Sequence, residues 1–120
     1  MTTYKQGDVV LVPVPFTDQT SSKKRPALVV SANWYNQNRP DVILAPITST
    51  VRDPQAREEW LIRGNEFRRA GLYKESVIKC GSVLTVRQNL ILRKLGMLPT
   101  GSVKQVHAHI VDVLTGKHES

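Results

Sequence analysis

The densest run of chemistry-bearing side chains is Ser21-Ser-Lys-Lys-Arg-Pro26, where three consecutive cations separate a polar stretch from an apolar one. A planar guanidinium such as that of Arg25 can meet a phosphate with two parallel donors, and it stays charged at any relevant pH. The same run also suits a solvated basic turn. A second cluster, Thr48-Ser-Thr50, sets three hydroxyls at the end of a segment rich in Ile, Leu and Val. Hydroxyls so placed can hold an anion, or they can close a turn on their own backbone. His107 and His109 invite a metal reading, but residues two apart on a helix point about 200° from each other and cannot hold one ion. One ring is expected beside the apolar stripe of its helix and the other in solvent. Cys80 is the single cysteine and has apolar neighbours, so it is expected to be a buried strand residue and not a nucleophile. Asp8, Asp18, Asp41 and Asp53 are scattered, without the paired-carboxylate pattern of a two-metal nuclease. Glycine-rich phosphate loops, G-x-S-x-G and H-E-x-x-H are all absent. Any phosphodiester chemistry is therefore expected to run without a metal or other cofactor.

Short β-rich segments must position these groups. Asp8–Val14 is rich in β-branched residues and predicts a strand, which Pro13 and Pro15 force to end or to lie along a sheet edge. The polar stretch 17–24 predicts a loop. Pro26–Ser31 and Asp41–Thr48 predict two further strands, antiparallel neighbours in a meander, with a loop over 33–40 between them. That pairing would bring the Arg25 end of one strand beside the Thr48 end of the next. Glu59–Ile62, Ser76–Cys80 and Val83–Val86 predict short strands, and Asn65–Leu72 one or two helical turns ending near Gly71. One strong helix comes last. Ser102 and Gln105 have capping-box spacing, Val103, Val106, Ile110, Val113 and Leu114 fall on one face, and Gly116 suits the residue that ends the helix. The sum is a mainly β (α+β) fold, a small, partly open barrel of about five to seven short antiparallel strands with its mouth plugged by the C-terminal helix.

The chain has 120 residues, which predicts one domain over 1–120, large enough for a core without disulfide staples. Lys and Arg number 17 against 10 Asp and Glu, for a net charge of +7. The excess is lopsided: residues 1–60 hold seven basic and six acidic side chains, and residues 61–120 hold ten and four. Such an excess attracts phosphate backbones, though solubility alone accounts for a few net charges. No secretory h-region and no run of about 18 apolar residues occurs, so neither secretion nor membrane spanning is expected and a cytoplasmic location is.

The segments Lys5-Gln-Gly-Asp-Val-Val-Leu-Val-Pro-Val-Pro-Phe-Thr-Asp18, Lys24-Arg-Pro-Ala-Leu-Val-Val-Ser31 and Leu44-Ala-Pro-Ile-Thr-Ser49 closely resemble the MazF/PemK family of toxins. The resemblance continues through Gly71-Leu-Tyr-Lys-Glu-Ser-Val-Ile-Lys79, Thr85, Gly96-Met-Leu98 and the final helix. It implies an SH3-like barrel, a homodimer, and a metal-independent endoribonuclease that cuts single-stranded RNA at short sequences. It also implies a cognate acidic antitoxin that blocks the active groove. The family's catalytic arginine falls on Arg25 and its catalytic threonine on Thr48. Asp18, Gln19, Ser22, Lys24, Ser49, Lys79 and Thr85 are the implied RNA contacts. Two positions depart from the family pattern: Gly81 stands where some members carry an acid, and Leu84 where an arginine commonly precedes the late threonine. A non-catalytic nucleic-acid-binding barrel and a gyrase-poisoning toxin of the related fold are the alternatives. Neither would release RNA fragments.

Overall fold

The computed structural model describes residues 3–14, 23–53 and 55–116. Seven strands run β1 (Asp8–Val14), β2 (Lys23–Val29), β3 (Asp41–Thr48), β4 (Glu59–Ile62), β5 (Ser76–Lys79), β6 (Leu84–Arg87) and β7 (Arg93–Met97). Among the described residues three α-helices accompany them, α1 (Asn33–Asn38), α2 (Asn65–Arg69) and the terminal α3 (Thr100–Thr115), with a short 3-10 turn over Gln88–Leu90. All pairings are antiparallel, in the order β4-β5-β3-β2-β1-β7, with β6 on β3 as well.

Strand β3 sets the curl. It pairs β2 over residues 44–46, β6 over 41–44 and β5 over 47–48. One strand thus changes neighbour partway along its length, which bends the sheet into a curled half-barrel. Both faces are buried as a result. Val9, Leu28, Val30, Ala45, Ile47 and Ile78 pack one core with Val103 and Val106 of α3. Val10, Val12, Ala27, Val29, Val42 and Leu44 pack a second with Ile91. Strands covered on both faces read as continuous apolar runs, which is how β1, β3 and the second half of β2 (Pro26–Val29) look in the sequence.

Several expectations need correction. Strand β2 begins at Lys23 and not at Pro26. At Pro26 it has β1 as its registered neighbour while β3 joins only from Ala27, so a missing amide donor is tolerated on the unpaired side. The same holds for Pro13, which lies beyond the last β1 residue that pairs β7. The expected loop over 33–40 contains α1. Strand β5 stops one residue early, and β6 starts one residue late. Strand β7 has no sequence signal of its own, being basic and interrupted by Gly96; backbone pairing to β1 and a Lys94–Asp8 ion pair at 3.2 Å hold it. Gly96 is required there because a Cβ would run into the Arg69 carbonyl and the Ala70 backbone.

The capping box does not form. Helix α3 starts at Thr100 after Pro99, and the Ser102 and Val103 amides bond the Pro99 carbonyl at 3.0 and 3.1 Å. The Ser102 hydroxyl instead donates to Glu66 Oε1 at 2.7 Å, tying α3 to α2. Gly116 does end the helix, at φ 64°. The apolar stripe is buried only in its first half: Val103 and Val106 are covered, whereas Val113 and Leu114 are 47% and 73% exposed. Among the described residues no helix is long and apolar enough to cross a membrane.

Candidate active site

Arg25 projects from the exposed start of β2, level with Val12 of β1. The β2–β3 register runs Val29↔Leu44, Leu28↔Ala45 and Ala27↔Pro46. Two steps further, the same register sets Arg25 level with Thr48. Strand β3 then hands Thr48 to Val77 of β5, and one more step brings Ser49 level with Ser76. The starts of β2 and β5 and the end of β3 therefore converge at one rim of the half-barrel.

That rim holds a cavity of about 270 Å³. Its polar lining is Lys24, Arg25, Ser49, Tyr73, Lys74 and Ser76, over a floor of Pro26, Ile47 and Leu72. Lys24, Arg25 and Lys74 have no acidic partner among the described residues, where the ion pairs are Arg57–Asp112 and Lys94–Asp8. Three cations outside any ion pair of the described residues, gathered around one recess, make a field that attracts anions. Ser76 is buried and donates its hydroxyl to the Lys74 carbonyl at 3.1 Å, which fixes the loop that carries Tyr73 and Lys74. Chemically the cavity can bind a phosphate through a fork, two ammonium groups and a hydroxyl, and can stabilise charge that develops on it.

The sequence-predicted residues separate on this geometry. Lys24, Arg25 and Ser49 line the cavity together. Thr48 is half-buried beside them but not in the lining, and its Oγ1 accepts the Thr50 amide at 3.2 Å. Lys79 is exposed at the far end of β5, level with Glu59. Thr85 lies on β6 opposite Ile43, five residues along β3 from Thr48, or roughly 17 Å at the usual strand rise. Neither borders the cavity. Asp18, Gln19 and Ser22 lie outside the described residues.

Tyr73, Lys74 and Ser76 escaped the sequence reading of the site. Their signal was an aromatic beside a lysine in the Gly71–Lys79 motif, but only the β3–β5 pairing brings that motif to Arg25. The remaining candidates resolve simply. His107 Nε2 lies 2.9 Å from the Val30 carbonyl, and His109 Nδ1 lies 2.9 Å from the Gln105 carbonyl of its own helix, so the two rings leave in different directions. Cys80 is 1% exposed, in the turn just past β5, where burial and then the Glu58 carboxylate push its thiol up to about 12. It is no nucleophile near neutral pH. No group of three or more potential metal ligands occurs among the described residues.

A small antiparallel sheet curled into a half-barrel over a terminal helix, with a cationic, hydroxyl-bearing cavity at its rim, places the chain in the small-barrel class. Residues 5–114 match the model of the PemK-like, MazF-like toxins of type II toxin–antitoxin systems, and the chain belongs to that family. Solved structures share its fold. The Mycobacterium tuberculosis toxin MazF-mt6 is 21% identical with a TM-score of 0.71, over 89% of this chain and 95% of that one. MazF from Deinococcus radiodurans is 18% identical with a TM-score of 0.75, over 95% and 98%. An endoribonuclease in complex with its cognate antitoxin, from a mycobacterial species, is 16% identical with a TM-score of 0.75, over 92% and 94%. No curated protein matches the chain significantly.

Proposed function

We propose that the chain is a toxin that cleaves single-stranded RNA by attack of a ribose 2′-OH on the adjacent phosphorus. The observation that carries this is Arg25 with Lys24, Lys74 and Ser49 around one open cavity. In the reaction the 2′-oxygen forms a bond to phosphorus and loses its proton, while the bond to the 5′-oxygen breaks and that oxygen gains a proton. The products are a 2′,3′-cyclic phosphate and a 5′-OH end. The nucleophile belongs to the substrate, so the protein need supply only orientation and anion stabilisation, and no metal is called for. DNA lacks the 2′-OH and is not cut.

Arg25 holds the non-bridging oxygens with both arms of its fork and stabilises the pentacovalent charge. Thr48 and Ser49 hold the phosphate in position through hydroxyls at the end of β3. Lys24 contacts the neighbouring backbone, and Asp18, Gln19, Ser22, Lys79 and Thr85 contact RNA further along a groove shared by two subunits of a homodimer. A cognate acidic antitoxin blocks that groove. A fold relative named as an endoribonuclease with its antitoxin supports both parts of the reading. Incubation of the purified protein with a long RNA in EDTA decides it. Discrete fragments ending in cyclic phosphate are expected; intact RNA would leave a binding module or a toxin acting on another target.

A further inference from the structure

The Arg25 cavity continues into a shallower recess lined by Ser49, Val51, Phe67, Tyr73, Lys74 and Glu75. Ser49, Tyr73 and Lys74 border both lobes. The first lobe is cationic and bears hydroxyls; the second is aromatic and carries a carboxylate. Tyr73 is 101% exposed, as open to water as a ring can be. It adds nothing to either core, and the ring–ring contact among the described residues is Trp34–Tyr35. A solvent-facing ring beside a phosphate site is how single-stranded nucleic acid is gripped without pairing, because every base has a face to stack.

Glu75 adds selectivity. It is exposed and stands outside the ion pairs of the described residues. A carboxylate offers two acceptors side by side. Among the RNA bases, guanine alone offers two adjacent donors on its Watson–Crick edge, N1–H and the N2 amine. Adenine and cytosine place a ring-nitrogen lone pair next to their amine, and uracil flanks its N–H with two carbonyls, so each sets a lone pair against the carboxylate. Lys74, shared by both lobes, offsets the repulsion between Glu75 and the phosphates.

We propose that Tyr73 and Glu75 form a base-reading platform: the Tyr73 ring stacks on a base flanking the phosphate held by Arg25, and Glu75 accepts both Watson–Crick donors of that base, selecting guanine. The inference rests on the cavity being the RNA-cleavage site, and the test separates the two. Cleavage is measured on short RNAs that differ only in the bases flanking one phosphate. Affinity is measured by fluorescence anisotropy on the same sequences made entirely of 2′-deoxynucleotides, which cannot be cut.

Wild type is expected to cut beside guanine in preference to the other bases. Tyr73→Ala should raise KM about ten- to a hundredfold, with the loss falling on KM and not on kcat, and Tyr73→Phe should restore it. Glu75→Gln should lower the preference for guanine over uracil about tenfold or more. Unchanged KM in Tyr73→Ala together with unchanged base preference in Glu75→Gln would overturn the platform while leaving RNA cleavage standing. If wild type cuts no RNA, anisotropy decides alone: a guanine preference that depends on both residues upholds the platform and removes the cleavage reading, and its absence removes both.

Discussion

Among single residues, Arg25 and its neighbours carry the proposed cleavage. Arg25→Ala should lower the cleavage rate by on the order of 10²–10³, the usual cost of removing one pre-organised anion donor. Arg25→Lys should recover little, since a point charge cannot replace two parallel donors. Both variants should fold normally because Arg25 is exposed. Near wild-type cleavage by the alanine variant would sink the assignment. The neighbouring hydroxyls rank differently: Ser49 lines the cavity, whereas Thr48 already accepts the Thr50 amide. Each alone is expected to matter less than Arg25, and Thr48→Ala, Ser49→Ala to matter more together than the product of the singles, because either hydroxyl can hold the phosphate when the other is gone. Strict multiplicativity of the measured rate losses would refute that redundancy.

Cys80 makes a prediction about pH. Burial, with the Glu58 carboxylate adding to it, raises its thiol from 9.0 to about 12 in the folded chain. The folded state therefore retains a proton that the unfolded chain releases as pH passes 9. Stability from this residue is fully present below about 9 and falls as pH rises toward about 12. Urea midpoints taken from pH 8 to 11 should drop more steeply in wild type than in Cys80→Ala. Parallel slopes in the two proteins would show that the thiol does not contribute.

At the scale of elements, α1 shows how a short helix survives. Six residues are too few to be helical in isolation, so tertiary bonds must hold them. Asn36 supplies those bonds from a position 1% exposed. Its Nδ2 donates to the Tyr4 carbonyl at 3.1 Å and the Ser31 carbonyl at 3.2 Å, and its Oδ1 accepts the Ser31 hydroxyl. Ser31 Oγ in turn accepts the Ile43 amide of β3 at 3.0 Å. Gln88 closes the other side, donating to the Asn36 carbonyl at 2.8 Å and accepting the Tyr4 amide at 3.1 Å. Asn36→Ala takes their side-chain partner from the Tyr4 and Ser31 carbonyls and the Ser31 hydroxyl and should cost about 2–3 kcal/mol, read as a lower urea midpoint at unchanged slope. The Arg25 cavity stands on other elements, so residual activity per folded molecule should be retained. A midpoint within error of wild type would mean that α1 is held by packing instead.

For the whole molecule, charge and exposed apolar surface bear on the partners proposed for it. The net charge of +7, and a cavity whose cations have no acidic partner among the described residues, suit the acidic antitoxin tail of the proposed function, which would mimic the RNA backbone. An acidic peptide with a few large apolar anchors should therefore inhibit cleavage competitively, raising the apparent KM, and its association rate should fall as salt rises. Tight peptide binding without loss of cleavage would place the antitoxin elsewhere. The exposed end of α3, with Val113 and Leu114 uncovered, is apolar surface that a second subunit can bury. Light scattering at micromolar concentration should show a mass near twice 13.5 kDa; a monomer would remove the shared groove from the mechanism.

Local chemistry alone determined much of this molecule. The β-branched runs 8–14 and 41–48 stand as strands at those limits, and Gly116 ends α3, because strand propensity and left-handed backbone act over a few residues. Arg25 and the hydroxyls of 48–49 could be named as candidates for the same reason, since fork and hydroxyl chemistry belongs to the residue itself; the structure then brings Arg25 and Ser49 to one cavity and leaves Thr48 beside it. What local chemistry could not decide was who stands beside whom. The capping box at Ser102 yielded to a hydrogen bond with Glu66, 36 residues away. Strand β7, with no pattern of its own, exists because β1 offers an edge and Asp8 a charge. Tyr73, Lys74 and Ser76 joined Arg25 only because β3 changes partner at its end and carries β5 to the same rim. A site is a set of distances, and those distances are set by sheet register between segments far apart in the chain.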